Sequence, residues 1–106
     1  MTDDKLTIVL AQRIMGWGIG PDRFLTGNRS WLPRWRFRPT ERIEDACRLL
    51  DFARPDAHYI ELAKQGYFSV RIEINGVAGV ACDRSRARVI SLALARAIEI
   101  DLDSSW

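Results

Sequence analysis

Residues Phe68 to Cys82 carry the clearest pattern in the chain. Phe68, Val70, Ile72 and Ile74 alternate with Ser69, Arg71 and Glu73, the two-residue period of a strand with one apolar face. Asn75-Gly76 follows, the pair best suited to the left-handed angles of a type I′ turn, and Val77 to Cys82 returns as the partner strand. A two-residue turn sets the register: Ile74 faces Val77, Ile72 faces Gly79, and Val70 faces Ala81. Large aliphatics thus stand opposite small residues, which predicts a shallow trough where a helix can lie. The fold class this implies is α+β, an antiparallel sheet centred on the 68–82 hairpin and sandwiched by helices in α/β/α layers.

Helical spacing marks the elements on either side. Leu6, Val9, Leu10, Ile14 and Met15 predict a helix over residues 3–15, with Asp3 and Asp4 suiting its positive end and Gly16 its stop. Thr40 is a good cap directly after Pro39, and Ile43, Ala46, Cys47 and Leu50 make the buried stripe of a helix over 40–53. Glu44 and Arg48 form a surface pair on it, and Pro55 ends it. Asp56 can cap a shorter helix over 56–65, with Tyr59, Leu62 and Ala63 inward and Gly66 as terminator. The last helix spans 84–102. Val89, Ile90, Leu92, Leu94, Ala97, Ile98 and Ile100 leave it apolar on most sides, as in a central core helix or one shared between two chains.

Residues 17–38 form an irregular arm. Gly16, Gly18 and Gly20 alternate around Trp17 and Ile19, but no strand precedes them and the third glycine is misplaced for a dinucleotide fingerprint. Arg23, Arg29, Arg34, Arg36 and Arg38 follow, interleaved with Phe24, Trp31, Trp35 and Phe37, and no acid stands between Asp22 and Glu41. Strict alternation from Arg34 to Arg38 predicts a short strand with Trp35 and Phe37 inward and three guanidinium groups outward. Two readings stay open. Such an arm stacks bases and holds phosphates, or anchors into an acidic protein surface; alternatively its aromatics are core and its arginines are solvated.

Length and composition bound the rest. One hundred and six residues, 47% of them hydrophobic, fit a single folded domain spanning 1–106. Charge is nearly balanced at +2, so no global field demands a nucleic acid. Fourteen of the 16 basic residues are arginines, which suit two-pronged recognition of phosphate or carboxylate. Cys47 and Cys82 lack metal or redox spacing and sit where burial is expected, so a reducing, cytoplasmic setting is the default. Asp3 and Asp4 are the wrong charge for a signal peptide, and no apolar run approaches a membrane span.

Catalytic chemistry finds little support. Cys47 and His58 lack a third, orienting group, and one histidine cannot anchor a metal cluster. The expectation is no enzyme, no catalytic residue, no metal and no cofactor. A better candidate is anion binding at the start of the last helix by Arg84, Ser85, Arg86 and Arg88, where free backbone N–H groups add to the charge. Neutralisation of these arginines by Glu73, Asp101 or another local acid is the competing reading. The helix also carries acids at its far end (Glu99, Asp101 and Asp103), so an antiparallel two-fold pairing of this helix predicts a homodimer.

Three segments together resemble a known family. They are Met15-Gly16-Trp17 after the first helix, then Trp35-Arg36-Phe37-Arg38 leading into Pro39-Thr40-Glu41-Arg42-Ile43-Glu44-Asp45-Ala46, and Ala81-Cys82 before Ile90-Ser91-Leu92-Ala93-Leu94-Ala95. From about Leu6 to Ala97 the chain resembles the small phage and prophage proteins of the ABA-sandwich domain family. The resemblance implies an antiparallel sheet between helical layers and brings no established activity or catalytic residue. Cys47 stands where the family often has tryptophan, and residues 18–31 depart from it in their glycine and arginine. A phage origin suggests a small protein that binds and blocks a host complex, bacterial defence machinery included. The partner-binding residues expected are Arg23, Arg29, Trp31, Arg34, Arg36 and Arg38, with nucleic acid the alternative partner of the same arm.

Overall fold

The structure, a computed structural model, describes residues 2–62 and 64–100. The hairpin forms as its pattern dictates. Strands β5 (Phe68–Ile74) and β6 (Val77–Asp83) pair antiparallel, with Ile74 opposite Val77, Ile72 opposite Gly79 and Val70 opposite Ala81. Asn75 and Gly76 take positive φ angles of 51° and 81° at the turn.

The predicted trough is real and it is filled. Helix α3 (Arg86–Ala97) crosses the sheet at Gly79, where an added Cβ would land on the Ala93 carbonyl oxygen and the backbone of Ala97. Val70, Ile72 and Ala81 line the same face and are buried with Val89, Ile90, Ala93, Leu94 and Ala97. Ser85 caps the helix, its Oγ accepting from the Arg88 N–H at 3.2 Å. The span is shorter than the 84–102 expected, and residues 101–102 lie outside those described.

The opposite side of α3 is covered too. Helix α2 (Ile43–Ala53) packs on it, and so does α1 (Asp3–Leu10), which runs on through a wider π-helical turn, Ala11–Met15, to a left-handed Gly16. Ser91, fully buried in α3, donates to the Pro39 carbonyl at 2.7 Å and ties the segment before α2 to this central helix. The α+β class, the antiparallel sheet and its hairpin centre are thus as expected, but the layers follow in a different order. The all-round apolar helix is the middle layer, and the sheet is an outer one. Tyr59, Glu61, Arg71, Ala78, Val80 and Cys82, on the sheet's other face, are exposed. Most of α3 is thus buried within one chain.

Four local expectations need correction. Residues 56–65 are not helical: Ala57–Leu62 is strand β4, antiparallel to β5, giving the sheet order β4-β5-β6. Asp56 is drawn to the hairpin instead of capping a helix. Its N–H donates to the Glu73 carbonyl, and its carboxylate accepts from the Asn75 N–H, at 2.8 and 2.9 Å. His58-Tyr59-Ile60 favours a strand wherever a free sheet edge is on offer. Tyr59 and Leu62 are consequently exposed, and Ala63 lies outside the described residues.

Helix α2 begins at Ile43, three residues later than Thr40. A hydrogen-bonded turn over 38–42 precedes it, the Asp45 carboxylate accepts the Arg38 N–H at 2.9 Å, and Thr40 is buried rather than capping. Cys47 falls on the exposed side of α2, while Leu49 takes the buried place; Cys82 is exposed on the bare sheet face. Residues 34–38 do not form a strand. Arg34–Arg36 is a single 3₁₀ turn, so alternation fails and only Phe37 points into the core. No described helix is long and apolar enough to cross a membrane.

Candidate functional site: the arginine-tryptophan arm

The arm is more regular than its sequence suggests. Strands β1 (Gly18–Ile19), β2 (Arg23–Leu25) and β3 (Trp31–Pro33) form a small antiparallel meander. Its inner side delivers Phe24, which meets Trp17 and Phe37 in a three-ring cluster with centroids 4.9 to 6.0 Å apart and all three rings buried. Tilted and edge-on contacts of this kind add to plain area burial. The cluster roots the arm in the core.

The outer side presents two indoles to solvent, Trp31 at 56% and Trp35 at 64% exposure. Each has an arginine over its ring: Arg23 lies 5.7 Å from the Trp31 centroid and Arg36 lies 5.6 Å from that of Trp35. Exposed cation–π contacts are worth about 0.5–1 kcal/mol each, enough to bias both partners toward one orientation. Beside Trp31 is a cavity of about 310 Å³ lined by Asp22, Arg23, Trp31 and Pro33. A second, of about 390 Å³, opens next to Trp35, with Phe24, Phe37 and Arg34 in its walls. Asp22 lines both.

The six expected partner-binding residues separate into two groups. Arg34 is committed internally: its Nη2 donates to the Gly20 carbonyl at 2.7 Å, its guanidinium lies 5.9 Å from the Phe24 centroid, and its Nε is buried without an acceptor. Arg38 is paired with Glu41 at 3.0 Å. Arg23 is paired with Asp22 at 2.9 Å, and the hydrogen bond from Arg23, followed by its charge, holds the Asp22 carboxyl below its usual range. Arg29, at positive φ in the β2–β3 connection, and Arg36 have no carboxylate partner among the described residues. Trp31, Trp35, Arg29 and Arg36, with Arg23 as a brace, therefore make the available surface. Trp35 was expected in the core; the 3₁₀ turn brings it out.

The second candidate, at the start of α3, is occupied from within. Asp83 receives the Ser85 N–H at 2.9 Å and the Arg88 Nη1 at 2.7 Å, and Asp3 meets Arg88 Nε at 3.3 Å. An internal carboxylate thus takes the place offered to an anion; the neutralising acids are Asp83 and Asp3, while Glu73 pairs with Arg71. Ser85 is spent as the cap. Arg84 and Arg86 stack on Tyr67 and Phe68, at 5.0 and 5.1 Å from the ring centroids. Each of these two guanidinium groups is thus engaged with a ring of its own.

Burial works to raise the Asp83 carboxyl, but the Ser85 N–H and the Arg88 guanidinium outweigh it and hold the group below its ordinary 3.8. A depressed folded-state pKa contributes stability above the unfolded value that is lost as pH falls through the folded one. Asp83→Asn is therefore expected to be less stable than wild type near neutrality, with the gap closing between about pH 5 and pH 2. Urea unfolding across that range checks it; a gap independent of pH would refute the assignment.

His58 is exposed on β4, a strand rather than the expected helix, and no group of three histidine, cysteine or carboxylate side chains among the described residues is placed to hold a metal. No protein-family model matches the chain, and neither does any curated protein. Among solved structures, the fold is similar to the 2.0 Å crystal structure of a phage protein from Bacillus cereus ATCC 14579. The TM-score is 0.76 at 16% identity, over 96% of this chain and 92% of that one. At that identity the likeness establishes a shared fold and assigns no residue a role.

Proposed function

We propose that this chain is a non-catalytic, phage-type binding protein that blocks or redirects a host protein complex, with an anti-defence role, anti-CRISPR included, within that proposal. The observation that carries the reading is the pair of exposed indoles, each braced by an arginine and flanked by a cavity. Tryptophan and arginine are enriched among residues that dominate binding energy, and side chains ordered before contact lose less entropy on binding. The fold shared with a phage protein supports the setting. A nucleic-acid role using the arm and the start of α3 has less behind it, since Arg34, Arg38 and Arg88 are already engaged within the chain.

Trp31→Ala combined with Trp35→Ala is expected to weaken partner binding by about 2–4 kcal/mol while leaving the thermal midpoint within a few degrees, because both rings are solvent-facing. Crosslinking in the host cytoplasm, wild type against the double variant, reads this out. A partner captured equally by both would remove the arm from the proposal.

The homodimer belongs to the same proposal, with its contact moved from α3 to β4. That strand has one unpaired edge and exposes Tyr59, Ile60 and Leu62, whereas on β6 the Val80 carbonyl is capped by the Arg96 guanidinium. An uncovered edge with apolar side chains is a template for pairing. Ile60→Lys is expected to convert a dimer to a monomer in light scattering at micromolar concentration; an unchanged mass would place the contact elsewhere.

A further inference from the structure

We infer that the arm's partner is an acidic protein surface, one that offers separate carboxylates beside apolar side chains, and not a nucleic acid. The inference rests on the arm being the contact surface. Residues 17–38 hold five arginines against Asp22, a net +4, while the rest of the chain carries −2 of the overall +2. Complementarity of that sign calls for an acidic partner, but so would a phosphate backbone. The disposition of the charges separates the two.

Of the five arginines, Arg23 is held by Asp22, Arg38 by Glu41, and Arg34 by the Gly20 carbonyl. Arg29 and Arg36 are what the arm can offer. Two phosphates neutralised give a salt slope of only about −2, against the six to ten contacts of an effective backbone binder. The cavity beside Trp35 is also walled by Asp3, Asp4, Asp22 and Glu41. A continuous polyanion laid along the cavity beside Trp35 would meet those carboxylates. A folded protein can instead set one carboxylate at Arg36 and another at Arg29 and put an apolar side chain against the rings between them.

Ring geometry points the same way. Arg23 and Arg36 already lie over one face of each indole, so a base is left at most the opposite face of each ring. The Arg23 fork is taken by Asp22, but Arg36 meets no carboxylate among the described residues, and its N–H edges match one in a two-pronged contact.

The test selects from a random dodecapeptide display library on the intact wild-type chain, the Arg29→Glu/Arg36→Glu variant and the Trp31→Ala/Trp35→Ala variant. The folded state of each is checked by circular dichroism. Peptides from the wild type are expected to pair Asp or Glu with a neighbouring apolar residue, to bind the charge-reversed variant at least about tenfold more weakly, and to be lost on the tryptophan variant. The charge-reversed chain should itself select Lys and Arg. Arm-dependent peptides with no acidic bias would overturn the acidic-partner inference and leave the arm as a contact surface. Peptides that ignore the tryptophan variant would overturn both. Oligo-dT binding at low-micromolar affinity in physiological salt, by fluorescence anisotropy, would establish the nucleic-acid alternative in its place.

Discussion

Gly79→Ala is expected to cost about 3 kcal/mol or more, the upper range for overpacking, although it adds one methyl group to a strand. The φ of Gly79 is not in the left-handed region; the constraint is what lies above it. The new carbon would meet the carbonyl oxygen of Ala93 and the backbone of Ala97, neither of which can rotate away. Relief requires α3 to lift off the sheet, and α3 is held on its far side by α2. For a domain of this length, such a loss lowers the thermal midpoint by at least about 12 °C, a large share of an ordinary 5–15 kcal/mol total. Gly76→Ala is the control. Its φ of +81° makes alanine strained, yet nothing lies within 4 Å of the added carbon, so the expected cost is only about 1–2 kcal/mol. Equal losses at the two sites, by calorimetry, would mean that α3 does not sit in the trough as described.

Phe24→Ala should cost about 3–5 kcal/mol, as expected for a large aromatic side chain fully removed from water. The mode of unfolding is more informative than the magnitude. Phe24 belongs to the arm, but its ring is completely buried against Trp17 and Phe37, and Trp17 in turn lies under the Arg48 guanidinium of α2 at 5.4 Å. The arm should therefore melt with the helices in one transition. Tryptophan fluorescence and far-ultraviolet circular dichroism are expected to give the same midpoint in wild type and variant. An early fluorescence transition would show the arm to be a separately folding appendage.

The hairpin was legible in the sequence because every signal for it is local. A two-residue period, an Asn-Gly turn and a register fixed by that turn need no knowledge of the remaining chain, and the small residues opposite the large ones even located α3. Strand β4 was not legible, since its identity depends on a distant edge. Ala57–Leu62 has no alternation of buried and exposed positions, and Asp56, a good helix cap in isolation, is claimed by the hairpin turn. The arm failed in a related way. Alternation from Arg34 to Arg38 is the pattern of a strand, but the three-ring cluster and the Gly20 carbonyl bend the chain into a 3₁₀ turn and send Trp35 outward. The arginine-aromatic composition pointed to the right surface. Which of its arginines are available could not be read from composition, because Asp22, Glu41 and Gly20 claim theirs through the fold.

The position of α3 has a consequence for how the chain reaches this state. Among the described elements the middle layer follows every strand and both other helices, so the hairpin, α1 and α2 leave a ribosome before the helix they pack upon. Packing on α3 must wait for residues 86–97, and until then the faces of the sheet and of both earlier helices that it covers stay open to chaperones, to proteases and to other nascent chains.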